Sequence, residues 1–289
     1  MVFTPSLAAI NHWFLHRRAL ASGFANTAGS IGGIVFPLLV GNLSNQIGFP
    51  WAVRVMGFIC AVFCAASVLL LRTRIPLNKD GGSSIDLRAL YDIRLSTVAV
   101  AIVLIEVGFL IPMTYLVSYA SSHEVNGDLS YQLMAILNAA SIFGRVIPGY
   151  IADQWGRFNV IIATTFVCTI LILALWLKSG TSAPAIVSFA AFFGFWSGTA
   201  ISLSPVCVAQ ISKTEEYGKR YGTTYSLVSF GSLVAIPVAG EILKAQNDSK
   251  PETDYSGLIV FAGVAYGGSM LFFIISRGVS SGWNLRRIF

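Results

Sequence analysis

Long apolar stretches separated by short polar segments dominate this chain of 289 residues. Eight of the stretches approach the ~20 residues that an α-helix needs to cross the hydrocarbon core of a bilayer. They cover residues 19–41, 51–71, 95–119, 131–151, 158–177, 184–209, 222–243 and 257–277. A ninth, residues 1–14, is shorter and lacks the basic segment that begins a signal peptide. The pattern predicts an all-α membrane protein with eight complete transmembrane helices plus one partial helix.

The composition agrees with a protein that is surrounded by lipid. Apolar residues make up 55% of the chain and charged residues 11%, and the mean hydropathy is +0.72, whereas a soluble domain carries about 25% charged residues. A net charge of +6 could suggest nucleic acid as a partner. The basic residues, however, lie in short segments between apolar stretches, as is typical of cytoplasmic loops. We therefore expect the lipid bilayer as surroundings and no nucleic-acid partner.

The sequence contains no pattern that indicates catalysis. We find no nucleophile–base arrangement, metal-ligand spacing or phosphate-binding glycine loop, so we expect neither an enzyme nor a cofactor or metal site. The four cysteines all lie inside apolar stretches, where we interpret them as small core residues: Cys60, Cys64, Cys168 and Cys207.

The distribution of basic residues predicts the orientation in the membrane. Successive loops must face opposite sides, and most of the 19 Lys and Arg residues fall in alternate loops on one side, which marks that side as cytoplasmic. The predicted cytoplasmic segments are 16–18, 72–94, 152–157, 211–220 and 278–289. The longest polar segment, 72–94, is rich in Gly, Ser and mixed charge, and predicts a linker between two bundles. This divides the chain into the remnant of an N-terminal bundle (1–71) and a C-terminal six-helix bundle (95–289).

One charged turn stands out between two apolar stretches. Gly149, Asp153, Gly156 and Arg157 have the spacing GxxxDxxGR. Gly149 lets neighbouring backbones approach, Asp153 can pair with a cation or a helix N-terminus, and Gly156 permits a tight reversal. Because the turn joins adjacent helices at the membrane surface, we expect it to be a gating loop that biases one conformation over another.

This turn resembles the signature loop of the major facilitator superfamily. WFLHRRALASGFANTAGSIGG, residues 13–33, resembles the loop and fifth-helix signature of the monocarboxylate porter family, with the fungal branch as the nearest match. Further similar pieces lie at 111–120, 137–159 and 235–243. The resemblance implies a major facilitator-type bundle of twelve helices in two halves, with both termini cytoplasmic. This chain would then begin within helix four and lack the first three, as a truncated record or as a degenerate product.

Two charged residues inside the spans are the main site candidates. Glu106 lies near the middle of its span, and Arg145 lies about one turn to the cytoplasmic side of the middle of the next; charges at such depth are costly. In the porter family an aspartate usually stands one turn before the counterpart of Arg145, and this carboxylate and arginine are associated with proton and anion binding. Here that position is Ser141, so proton coupling would depend on Glu106. Arg145 either contacts substrate or braces the loop through Asp153.

Three further residues have alternative interpretations. Asn138 and Ser141 either line a polar cavity or bridge helices by hydrogen bonds. Trp196, near mid-membrane, either stacks on a flat substrate or fills the core.

Two functions of different classes are consistent with the sequence. The first is a secondary transporter of a small organic anion, such as a monocarboxylate or related metabolite, possibly coupled to protons as a symporter. The second is a non-transporting membrane sensor or inactive paralogue. We expect a small-molecule substrate and favour the plasma membrane over the vacuolar or another internal membrane. The identity of the substrate and the oligomeric state stay open at this point.

Overall fold

A computed structural model describes residues 16–71, 86–123, 127–247 and 254–282, together with residues 6–7, 9–10 and 13–14. Within these ranges the chain is entirely helical, with eight helices long and apolar enough to cross a membrane. They are α1 (Arg18–Ile47), α2 (Phe49–Leu70), α3 (Ile93–Ser122), α4 (Gly127–Trp155), α5 (Arg157–Ile170, continued by a π-helical segment Leu171–Trp176), α6 (Ala183–Gln210), α7 (Tyr217–Asn247) and α8 (Ser256–Ser281). Each predicted span coincides with one of these helices, and the helices extend up to six residues beyond the predicted ends, as α1 does from residue 41 to Ile47. The prediction of a multi-pass, all-α membrane protein is confirmed.

Glycine and aspartate residues set several helix boundaries. Gly48 has a φ of 82° and separates α1 from α2, and Gly156 has a φ of 94° and separates α4 from α5. Such positive φ values favour glycine, so the reversal predicted at Gly156 is present. The Asp92 side chain accepts a hydrogen bond from the Arg94 backbone N–H (3.1 Å) and thereby caps the start of α3.

Helices α3 to α8 pack into one bundle. Helix α4 lies along α6, α3 lies along α8 and α7, and α5 contacts α6 and α8. A stack of aromatic rings fills the interior, with centroid distances of 5.1 Å from Trp176 to Phe189 and from Phe189 to Phe193. The close packing of α4 on α6 depends on Gly198, where a Cβ atom would lie 2.9 Å from the Ser141 carbonyl oxygen. Any larger residue at 198 would force the two helices apart.

Helix α1 connects the first part of the chain to this bundle. It packs along α4 and also contacts α6, whereas α2 packs mainly along α1. The boundary between α1 and α4 is therefore where the predicted N-terminal half meets the predicted C-terminal half. Residues 72–85 of the predicted linker lie outside the described residues. The rest of the linker includes a short 3₁₀ helix, Leu87–Tyr91.

The interpretation of the cysteines is half right. Cys168 and Cys207 are buried, but Cys60 and Cys64 are exposed. Both exposed cysteines lie on α2, in which Ala52 is the buried residue. An apolar stretch shows that a helix lies in lipid or protein, but it does not show which of the two covers each face.

Candidate functional site

Three of the predicted site residues lie on one face of α4, opposite α1. Asn138, Ser141 and Arg145 have helical spacings of three and four, which place them above one another. The Ser141 hydroxyl lies 2.5 Å from the hydroxyl of Ser30 in α1. The Asn138 Oδ1 atom lies opposite Gly33 of α1, where a Cβ atom would approach to 2.7 Å. The structure thus brings these residues together at the boundary between the predicted halves.

Arg145 is held by α1 and not by the charged turn. Its Nη1 group donates a hydrogen bond to the backbone carbonyl oxygen of Asn26. A Cβ atom at Gly29 would lie 3.2 Å from the same nitrogen. Within the described residues no ion pair joins Arg145 to Asp153, which pairs with Arg157 instead. The Arg145 Nε atom is buried and has no hydrogen-bond partner there, so the guanidinium group keeps an unused donor.

Glu106 lies in α3, half-buried in the bundle. In the described part of the chain it makes no ion pair with Arg145, although the two charges are close enough to interact. Nearby, Gly108 packs against the ring of Tyr266, to which a Cβ atom at Gly108 would approach within 2.6 Å. The coupling of Glu106 and Arg145 therefore stays a prediction.

Sequence reasoning missed a group of tyrosines near Glu106. The carboxylate lies within electrostatic range of Tyr221 and Tyr225 in α7 and of Tyr266 in α8. The ring centroids of Tyr221 and Tyr225 are 4.4 Å apart. The recurrence of tyrosine every fourth residue along α7, beginning at Tyr217, is the pattern that could have revealed this face.

Trp196 makes the contacts of a core residue. It is half-buried in α6 and packs against the hydrophobic core, with its ring edge-on to Phe195 at 5.3 Å. These contacts fit the core-filling alternative.

The charged turn is hydrogen-bonded to the beginning of α1. Asp153 accepts hydrogen bonds from the backbone N–H groups of Ala19 (3.1 Å) and Leu20 (3.0 Å), and its carboxylate pairs with Arg157 at 3.1 Å. Asp153 therefore pairs with both a helix N-terminus and a cation. Gly149 allows this contact, because a Cβ atom there would lie 3.0 Å from the Ala19 carbonyl oxygen.

Arg18 adds a second connection at the same end of the molecule. The sequence placed it in a basic loop, but it is the first residue of α1 and is buried, with 5% of its surface exposed. Its Nη1 group donates to the carbonyl oxygen of Ala209 (3.2 Å), near the end of α6. The last carbonyls of a helix lack partners within the helix, and a cation is favourable there. Nothing in the sequence indicated that Arg18 is buried, because it directly follows the basic residue Arg17.

Among the described residues, the charged turn is thus bonded to the beginning of α1, and the Arg145 Nε donor at the boundary of α1 and α4 has no partner. The model of the Major Facilitator Superfamily matches residues 1–236. The chain belongs to the major facilitator superfamily. This superfamily consists of transporters and not of enzymes.

Two curated relatives and one solved structure extend this finding. The riboflavin transporter MCH5 of Saccharomyces cerevisiae is 36% identical, over 98% of this chain and 58% of its own length. The agnestins efflux protein AgnL12 of Paecilomyces divaricatus is 30% identical, over 96% of this chain and 62% of its own length. The fucose:proton symporter FucP of E. coli matches with a TM-score of 0.69 at 15% identity, covering 94% of this chain and 72% of FucP. The chain spans about three-fifths of the length of these curated relatives.

Proposed function

We propose that this major facilitator protein is a secondary carrier of a small organic anion, such as a monocarboxylate or a related metabolite. The observation that carries the proposal is the position of Arg145 at the boundary of α1 and α4, with a buried Nε donor that has no partner in the described chain. A cation at such depth is costly and is a functional-site candidate by default. Transporters of this type bind substrate between their two halves, where Arg145 can attract an anion.

Glu106 would supply proton coupling. The charges of Glu106 and Arg145 interact across the bundle, so each stabilises the ionised form of the other. An anionic substrate that binds Arg145 weakens this stabilisation, and Glu106 then accepts a proton more readily. One binding event would thus link the anion and the proton. Glu106 would take over the role of the aspartate that the porter family usually has at the position of Ser141.

We also propose a branch of the superfamily and a division of the chain into bundles. The motif at 13–33 supports membership of the fungal branch of the monocarboxylate porter-like family. We assign residues 1–71 to the N-terminal bundle, 72–94 to a cytoplasmic linker and 95–289 to the C-terminal bundle. Localisation in the plasma membrane is the corresponding expectation for a carrier that exchanges metabolites with the surroundings.

The charged turn would be the gate on the cytoplasmic side. Asp153 holds the first N–H groups of α1, and Gly149, Gly156 and Arg157 allow or reinforce that contact. Because α1 and the turn belong to different proposed halves, separating the halves at this end requires that these hydrogen bonds break. The turn would therefore favour the state that is closed on this side.

Substitution of Arg145 tests the proposed function. Arg145→Ala should abolish saturable binding of labelled carboxylates such as acetate and benzoate, and Arg145→Lys should restore part of it because the charge remains. Arg54→Ala is the matched control, since Arg54 is an exposed arginine of α2 that lies over the Trp51 ring at 4.9 Å. Carboxylate binding that survives Arg145→Ala would refute the proposal. Binding without uptake would favour the alternative of a non-transporting sensor.

A further inference from the structure

Three buried hydrogen-bond donors on α1 and α4 have no partner among the described residues. They are the Ser22 hydroxyl and the Asn26 side-chain amide of α1 and the Arg145 Nε group of α4. Ser22 is 0% exposed and Asn26 is 4% exposed. The two α1 residues are one helical turn apart, and Arg145 is bonded directly to the Asn26 backbone carbonyl. The residues that carry the three groups therefore lie along the same contact between α1 and α4.

The Ser22 hydroxyl has no hydrogen-bond partner among the described residues, as is also the case for Thr164, Ser212, Ser269 and Ser280. Serine and threonine in a helix commonly donate to the carbonyl four residues earlier. Ser44 of the same helix does so to Val40 (2.6 Å), and Thr165 does so to Ile161 (3.0 Å). Ser22 forgoes this bond although it is fully buried. A buried polar group without a partner needs an explanation, and a ligand that is not in the structure is one.

The chemistry of the three groups indicates what the ligand is. An amide N–H₂, a guanidinium N–H and a hydroxyl can all donate to the same acceptor, and only the guanidinium carries a charge. Donors of these types suit an anion with several lone pairs, such as a carboxylate, because hydrogen bonds to ionised oxygens are the strong ones. A neutral amide ligand would offer one acceptor oxygen and no charge.

We infer that Ser22 and Asn26 bind the carboxylate of the substrate together with Arg145. This inference rests on the proposed function and deepens it, because nothing in the sequence motifs assigned a ligand role to either residue. The anion would then be held by one helix from each proposed half of the transporter. Binding would draw α1 and α4 together, and release would require that they separate.

A buried water molecule is the competing explanation. A site with three donors can hold a water, but a water contributes no preference for charged over neutral ligands. The two explanations differ in whether the α1 donors affect the affinity for an anion.

The test is equilibrium binding of radiolabelled acetate and benzoate to the purified chain in lipid nanodiscs, with benzamide as the neutral competitor. Ser22→Ala should weaken benzoate binding by about tenfold, the effect of one hydrogen bond to a charged group. It should not lower the thermal midpoint, because it removes a hydroxyl that has no partner among the described residues. Asn26→Asp should abolish binding, since it places a second carboxylate opposite that of the ligand. Asn45→Asp is the matched control, because Asn45 is exposed on the same helix.

The outcomes distinguish a failure of the proposed function from a failure of the proposed role of Ser22 and Asn26. If the wild type binds neither carboxylate in preference to benzamide, the proposed function fails and this inference fails with it. If the wild type binds benzoate and Arg145→Ala does not, but Ser22→Ala and Asn26→Asp bind as the wild type does, only the inference is overturned. If Asn26→Asp does not fold, Ser22→Ala decides alone: unchanged affinity refutes the role of the α1 donors, and weakened affinity with an unchanged thermal midpoint supports it.

Discussion

Replacing Asp153 by asparagine should loosen the contact between the charged turn and α1. The Asp153 side chain is 8% exposed, and its carboxylate accepts from two backbone N–H groups, those of Ala19 and Leu20. Asparagine has the same shape but one acceptor oxygen, so one of the two N–H groups loses its partner. The negative charge at the start of α1 is lost as well, together with the ion pair to Arg157.

The size of the effect follows from these losses. An unsatisfied buried donor costs about 1–3 kcal/mol, and removing a charge from a helix N-terminus costs about 0.3–2 kcal/mol. We expect a combined loss of about 2–4 kcal/mol, which corresponds to a change of roughly 30- to 1,000-fold in the equilibrium between the closed and open turn. The loss of the ion pair with Arg157 adds to this effect, because the two side chains are only 15% and 8% exposed and removing one partner of such a pair is destabilising.

Hydrogen–deuterium exchange at the start of α1 is the direct assay. In Asp153→Asn the peptide containing Ala19 and Leu20 should exchange faster by a factor in this range. Asp92→Asn is the matched control, because Asp92 likewise caps a helix and pairs with an arginine, Arg220 at 3.1 Å, but at α3. Unchanged exchange at Ala19 and Leu20 in Asp153→Asn would refute the reasoning.

The same variant tests the gating role of the turn. If the turn is a gate, Asp153→Asn should change the transport rate more than the amount of protein in the membrane. A loss of protein with unchanged activity per molecule would instead make the turn a folding element.

Two further predictions concern the orientation of the chain in the membrane and the packing of Arg18 at the beginning of α1. In a cysteine-free background, an impermeant thiol reagent applied to intact cells should label a cysteine at Asn45 but not one at Glu215, and the reverse result would invert the topology. Arg18→Gln should lower the free energy of unfolding by about 1.5–3 kcal/mol through loss of the charged hydrogen bond to Ala209, measured by chemical denaturation. Arg17→Gln, an exposed neighbour, should change it by less than about 0.5 kcal/mol.

The spans were predictable because hydropathy is a local property. A stretch such as 158–177 reaches the length needed to cross the bilayer whatever its neighbours are. The π-helical turn at Leu171–Trp176 was not predictable, since it arises from packing within the bundle. The reversal at Gly156 and the capping role of Asp153 were predictable in kind, because few residues serve these purposes. The capped helix is α1, whose Leu20 lies 133 residues before Asp153 in the sequence. This pairing depends on tertiary contacts and was not predictable.

The candidate site was predicted on one side only. Asn138, Ser141 and Arg145 share a face of α4 by their spacing alone, and the structure places this face against α1. Ser22 and Asn26 were not identified, because serine and asparagine in a helix usually bond locally and carry no charge. Within the described chain their side chains have no hydrogen-bond partners, which is a property of the packed boundary and cannot be predicted from the order of residues.

The central claim is that an anion bound at Arg145 is linked to a proton at Glu106. The measurement that tests it most directly is uptake of a labelled carboxylate by proteoliposomes as a function of pH, for the wild type, Glu106→Gln and Arg145→Ala. We expect wild-type uptake to rise as the external pH falls, because the anion enters with a proton. Glu106→Gln should lose this pH dependence and retain exchange, and Arg145→Ala should not transport. A wild-type pH profile in Glu106→Gln, or uptake by Arg145→Ala, would contradict the central claim.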